Sequence, residues 1–244
     1  MTYEEVVAKL QGHLEAVAER HGLLDESVTV AARALSAEEA IGNPEHDDYP
    51  LIKGRERMME AVVRGTQGQA FTDMYGNWEG LIRDVCRTEP ANNFRRAILV
   101  ATLNAVMRYA GEVEGTIHCR DKEPVQCAQE LADYVRAEGL KPPFVLIGYQ
   151  PRLAETLAGL GELRIADLDA GNIGQGCAGV TVNDPGRTPE LLRGAGSAFV
   201  TGSTVVNGTI AQFLDLDIPT VFFGVTIAGP AVVLGLRRFC ALGA

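Results

Sequence analysis

Four short apolar runs in the second half of the chain constrain the fold more than any other feature. They are Phe144-Val145-Leu146-Ile147-Gly148, Leu163-Arg164-Ile165-Ala166-Asp167, Ala198-Phe199-Val200-Thr201-Gly202 and Thr220-Val221-Phe222-Phe223-Gly224. Each is strand-sized, and helical segments separate them. Strands that are apolar along their whole length are covered on both faces, the condition of a parallel sheet between helices. In open parallel sheets, ligands bind beyond the carboxyl ends of the strands, near the point where strand order reverses.

The first half has a different texture. Thr2 is placed to cap a helix with Glu4 and Glu5 in its first turn. Val6, Val7, Leu10, Leu14 and Val17 give it an apolar face, and Gly22 ends it. Residues 27–35 read as a strand and 41–50 as a loop. Residues 58–63 and 69–72 read as strands around a turn at 64–68, and Trp78 to Cys86 as a short helix. Asn93 to Tyr109 is a helix apolar on so much of its surface that it is expected to be buried, in a domain core or in a homodimer interface. A helix over 125–137 leads to Gly139 and the Lys141-Pro142-Pro143 break. We place the domain boundary between about 110 and 124, giving domains 1–115 and 116–244.

Hydrophobic residues make up 46% of the 244 and charged residues 22%, as in a globular protein with its own core. The formal net charge of −10 and a pI near 4.9 argue against a nucleic-acid or polybasic membrane surface. No apolar run reaches the roughly 20 residues of a membrane span. The start, Met1-Thr2-Tyr3-Glu4-Glu5, is acidic and lacks the apolar region of an export signal. With five cysteines, an odd number, the expectation is a cytoplasmic protein with reduced thiols.

Each predicted strand ends in polar or glycine-rich residues: Gly148, Tyr149 and Gln150; Asp167, Asp169 and Asn172; Thr201, Gly202, Ser203, Thr204 and Asn207; and Thr226. Together they are expected to rim one crevice with hydroxyls, amides, two carboxylates and backbone N–H groups, with helix N-termini that favour anions. Taken singly, each loop is also what turns and caps require, and Asp167 and Asp169 fit a structural role as well. No strand is followed by G-x-G-x-x-G or by the phosphate-loop motif, so a dinucleotide or ATP assignment lacks its mechanism.

Thr116-Ile117-His118-Cys119 lies on the domain boundary, with Cys127 beyond it. The cysteine spacing is not that of a structural zinc site. If 116–119 is extended, His118 and Cys119 point to opposite faces and share a metal only if the chain turns between them. Cys127 reads as a helix residue whose thiol pKa is lowered if it lies near the N-terminus. Cys86, Cys177 and Cys240 read as packing residues. The charged segments 46–49 and 53–57 read as solvated loop, whereas Gln69 to Asp73 is placed to face the crevice.

These segments resemble a known family. Gly148-Tyr149-Gln150-Pro151, Asp167-Leu168-Asp169 with Asn172-Ile173-Gly174, Thr201-Gly202-Ser203-Thr204 with Asn207-Gly208-Thr209, and Phe223 to Gly229 are similar to motifs of the heavy-metal chelation family of prokaryotic proteins. Residues 50–54, Gly68 to Thr72, Ala101 to Ala105 and Thr116 to Cys119 match its companion domain. Pro230 departs from the family pattern, which has a small residue there, though proline suits a first helical turn.

The resemblance implies an α/β fold: a Rossmann-like parallel-sheet domain preceded by a small enolase-N-terminal-like α+β domain, with a cleft between them. It also implies metal handling or a part in anaerobic metallocofactor or corrinoid metabolism. The leading expectation is a protein that binds a transition-metal ion, metal chelate or other metal-containing small molecule in the cleft. His118 and Cys119 are then the metal ligands, the two aspartates supply oxygen ligands or orient the ligand's amines, and the Thr, Ser and Asn side chains hold its anionic groups. A metal-independent small-molecule enzyme or nucleotide-type binder is the alternative. A non-catalytic partner in metal uptake or cofactor assembly is a third.

Overall fold

The computed structural model describes residues 1–31, 56–119 and 123–244. The expectations for 32–35, 41–50 and 53–55 lie outside the described residues. Helix α1 (Tyr3–Arg20) begins as the sequence indicates. The Thr2 hydroxyl accepts the N–H of Glu5, and the Glu5 carboxylate accepts the N–H of Thr2, a reciprocal capping box. Strands β1 (Ser27–Ala31), β2 (Arg57–Val63), β3 (Thr66–Thr72) and β4 (Trp78–Leu81) form an antiparallel sheet in the order β3-β2-β1-β4.

Two expectations are corrected here. The turn between β2 and β3 is the pair Arg64-Gly65, both at positive φ, and Gly68 lies within β3 opposite Ala61. Gly68 is needed for packing: a Cβ there would sit 2.2 Å from the Ala105 nitrogen. Trp78 to Leu81 is a strand on the edge of β1, and only Ile82–Arg87 is helical (α2). Pairing with the open edge of β1 outweighs the local helical pattern.

Helix α3 (Asn93–Tyr109) is capped by the Asn92 side chain, and every residue from Ala97 to Met107 is buried. Its own chain covers it on both sides. Strands β2 and β3 pack on one face. On the other lie α7 (Thr204–Asn207) and α8 (Ala228–Leu234). Pro230 stands in the first turn of α8 and is buried.

The second half contains α4 (Glu123–Ala137), β5 (Phe144–Ile147), α5 (Pro151–Leu160), β6 (Leu163–Ala166), β7 (Gly176–Cys177) and β8 (Val180–Asn183). It continues through α6 (Thr188–Leu192), β9 (Ser197–Thr201), α7, β10 (Thr220–Phe223), α8 and β11 (Arg238–Phe239). The four apolar runs are β5, β6, β9 and β10, and all pair in parallel. The short strands β7, β8 and β11, which lack such runs, complete a seven-stranded sheet of order β11-β10-β9-β5-β6-β8-β7, with only β7 antiparallel.

Alternate side chains of this sheet enter different cores, as strand geometry requires. Phe144, Leu146, Phe199 and Val221 pack with α4 and α5. Val145, Ile147, Ala198, Val200 and Phe222 join the core that contains α1, α3 and the antiparallel sheet. Burial on both faces explains the unbroken apolar runs. The order also places the reversal between β5 and β9, since the chain leaves β5 for β6 on one side and returns to β9 on the other. Among the described residues no helix is long and apolar enough to cross a membrane.

Candidate functional site

A cleft of about 850 Å³ opens at the carboxyl ends of β5, β6, β9 and β10. All the residues picked from the sequence line it: Gly148, Tyr149, Gln150, Asp167, Asp169, Asn172, Thr201, Gly202, Ser203, Thr204, Asn207, Thr226, His118 and Cys119. What they do there differs from one wall to the other.

On the β5–β6 wall, Asp167 organises two loops. Its carboxylate accepts the N–H groups of Tyr149 and Asp169 and the side-chain amide of Asn172. Burial nevertheless raises its pKa above the ordinary aspartate value, outweighing those bonds. Asp169 accepts the N–H of Gly171 at 2.8 Å. Gly148 has φ +87°, and a Cβ there would come within 2.5 Å of Thr201 Cγ2, so only glycine turns the chain at this point. Gln150 caps α5 by accepting the N–H of Leu153 at 2.6 Å, and Pro151 removes the next N–H. The helix start expected to attract anions therefore satisfies much of itself.

On the β9–β10 wall the polar groups are more deeply committed. The Thr204 hydroxyl donates to the Thr201 carbonyl at 2.8 Å, and Asn207 Oδ1 accepts from the N–H and hydroxyl of Thr209. Thr201 and Ser203 face each other, hydroxyl to hydroxyl, at 3.5 Å. The buried Thr226 hydroxyl accepts the N–H of Phe71 at 3.0 Å, tying β3 to the loop after β10. Behind this seam Asn104, fully buried in α3, donates to the carbonyls of Gln69, Val225 and Thr226 and accepts the N–H of Gly229 at 2.7 Å. Asn104 falls within a segment carrying the family resemblance, yet nothing in its apolar helix marks it as a joint.

Residues 114–118 form a strap between β3 and the end of the chain. Gln69 N–H donates to the Thr116 carbonyl at 3.0 Å, Ile117 pairs with Ala244, and Arg238 donates to the carbonyls of Glu114 and Gly115. The chain bends at Ile117 instead of continuing as a strand, and both His118 and Cys119 reach the cleft. His118 Nδ1 lies 2.6 Å from the Cys119 carbonyl oxygen. A carbonyl only accepts, so Nδ1 carries a proton and donates it to this bond. Phe71 packs edge-on against the ring, and Gln69 Oε1 accepts the His118 N–H.

Some lining residues with reactive side chains were not singled out from the sequence. Glu56, read as solvated loop, is half-buried in the cleft. Burial, reinforced by Asp167, Asp73 and Asp169, pushes its pKa up to about 7. Asp73 was part of a segment expected at the crevice, but not singled out. Cys240, expected to be packing, lines the cleft beside Cys127. Burial first, and then Cys240, push the Cys127 thiol up to about 11, the opposite of a helix-activated cysteine. Among the described residues no three His, Cys, Asp or Glu side chains are grouped so as to hold a metal ion. The described donor set therefore does not by itself fit a resident metal.

Fold and site together define a Rossmann-like α/β protein with a smaller antiparallel sheet packed against it. Its fold is similar to that of a DUF364-family protein of unknown function from Pyrococcus horikoshii. The TM-score is 0.56 at 15% identity, covering 91% of this chain and 79% of that one. It is also similar to a DUF364-family protein of unknown function from Desulfitobacterium hafniense. There the TM-score is 0.53 at 15% identity, covering 73% of this chain and 72% of that one. At such identity the likeness shows the fold alone. No family model and no curated protein matches the chain.

Proposed function

We propose that the protein binds an organic small molecule in the cleft, and that a metal enters, when it does, as part of that molecule. The cleft carries this reading. Its volume of about 850 Å³ is that of a ligand site, and it lies where parallel sheets bind ligands. The cleft presents carboxyl groups at Glu56, Asp73, Asp167 and Asp169, which favours a cationic, amine-bearing or metal-bearing group. Thr201 and Ser203 offer hydroxyls to its polar part. His118 Nε2 and the Cys119 thiol supply two soft or borderline donors, too few to enclose an ion but enough to complete a chelate.

The test is a thermal-shift screen of small molecules and cobalt and nickel chelates, repeated with EDTA and with Thr201→Trp to fill the cleft. A stabilising ligand lost in Thr201→Trp is the expected result; no stabilisation by any ligand sinks the proposal. If the His118→Ala/Cys119→Ala double variant binds cobalt and nickel chelates like wild type, the two residues are not metal ligands.

A second reading is favoured by Glu56. A carboxyl group that titrates near 7 inside a cleft is suited to general acid–base work, which supports a metal-independent enzyme. Stabilisation by a ligand that persists in EDTA, with turnover lost in Glu56→Gln, is the outcome that favours it.

A further inference from the structure

The identity of the ligand can be taken further, on the reading that the cleft binds a small molecule. We propose that this molecule bears a ribonucleoside without a phosphate chain, and that Asp169 receives its vicinal ribose hydroxyls. The argument begins with topology. Strands β8-β6-β5-β9-β10-β11 run side by side in the order of a nucleotide-binding doubly wound sheet, with β5 as its first strand and the reversal between β5 and β9. In that arrangement an acidic side chain beyond the second strand accepts the ribose hydroxyls. Here the second strand is β6, and Asp167 and Asp169 follow it.

The two aspartates are not equivalent. Asp167 already accepts three protein donors on its two oxygens. Asp169 is half-buried, lines the cleft and commits only Oδ1, to Gly171; among the described residues its second oxygen takes no hydrogen bond. That oxygen is placed to accept. Leu168, 56% exposed, and Pro185, beyond the adjoining β8, give the same end of the cleft apolar surface for a planar base.

The loop after β5 disfavours a phosphate chain. A pyrophosphate in such a sheet rests on backbone N–H groups between the first strand and its helix. Here three of the five positions from 149 to 153 offer a phosphate no N–H: that of Tyr149 is given to Asp167, Pro151 has none, and that of Leu153 is given to Gln150. The Asp167 carboxylate also lies against this loop, where it repels an anion. A neutral or cationic nucleoside fits this loop better than a nucleotide or dinucleotide.

Isothermal titration tests this with adenosine, guanosine, cytidine, uridine and S-adenosylmethionine, the 2′- and 3′-deoxynucleosides, the 5′-diphosphates and NAD. At least one phosphate-free ribonucleoside compound is expected to bind. Its deoxy and diphosphate forms are expected to bind about tenfold more weakly or worse, the size of one charge-assisted hydrogen bond. Asp169→Asn keeps an oxygen for the Gly171 N–H, so unfolding should be unchanged while the ribo/deoxy preference collapses.

Binding of none of these compounds below about 1 mM, equal binding of deoxy forms, or tighter binding of diphosphates overturns the proposal. So does a ribo/deoxy preference untouched by Asp169→Asn. A ligand of another class, lost in Thr201→Trp, leaves the small-molecule reading standing and removes the nucleoside. Failure of every compound in the wider thermal-shift screen as well removes both.

Discussion

The two walls of the cleft carry similar residues and are held by different means. The β9–β10 wall is anchored from behind: Asn104 and the Thr226–Phe71 bond fix it to α3 and β3, in a core shared with the antiparallel sheet. The β5–β6 wall is held from within, by one half-buried aspartate that gathers the N–H groups of its own loops. Polar groups in the first wall mainly build the structure. Those in the second keep capacity to meet a ligand, and the raised pKa of Asp167 falls there.

Substitutions should separate the walls. The largest effect is expected from Asn104→Ala, which strips three buried carbonyls and one buried N–H of their partner. A loss of about 4 kcal/mol is expected in urea unfolding. Gly229→Ala places a Cβ 2.8 Å from Asn104 Oδ1 and 3.1 Å from Met107 Sδ. Overpacking, offset in part by helix propensity, should cost about 2 kcal/mol on the same measurement. Thr226→Val keeps the shape and removes the acceptor of the Phe71 N–H, for about 1–2 kcal/mol. On the other wall Asp167→Asn should cost about 1 kcal/mol: one oxygen becomes an NH2 that faces a donor, a loss offset in part because burial already disfavours the charge removed. If Asp167→Asn proves as costly as Asn104→Ala, the contrast between the walls is wrong.

Glu56 gives the most diagnostic shape. Its folded pKa of about 7 lies above the ordinary value of 4.5, so between these limits the folded chain binds the proton that the unfolded chain releases. Stability from this group therefore falls as pH rises from about 4.5 to 7 and is level above. Glu56→Gln should be more stable than wild type at pH 8, with the gap closing by pH 5. Thermal unfolding at several pH values reads it directly. A constant gap would place Glu56 in solvent.

The sequence disclosed the parallel sheet because burial on both faces leaves an unbroken apolar run, and β5, β6, β9 and β10 each have one. It hid β8 and β11, whose polar and cationic residues sit toward the sheet edges. It misled at Trp78 to Leu81, where a neighbouring strand decides the conformation, and at Gly68, where a glycine serving helix packing looks like a turn. The strand-end residues of the site were legible because position at a strand's carboxyl end follows from strand order. Glu56 and Cys240 were not, because only the closed fold brings the start of β2 and the end of β11 to the same cleft. Nor could the sequence divide the polar residues between structure and ligand. Asp167 and Asp169 look alike as letters, yet they accept three protein donors and one.

Asn104 has a further consequence for how the molecule is made. Its side chain joins the Gln69 carbonyl, 35 positions away, to the Gly229 N–H, 125 positions away in the other direction. Contacts of such separation close large loops and form late. A chain growing from its N-terminus makes α3 long before residue 229 exists, and must hold a buried amide in wait. The anchored wall should thus be among the last parts to assemble, with a folding φ-value near zero at Asn104, measurable from the refolding and unfolding rates of Asn104→Ala.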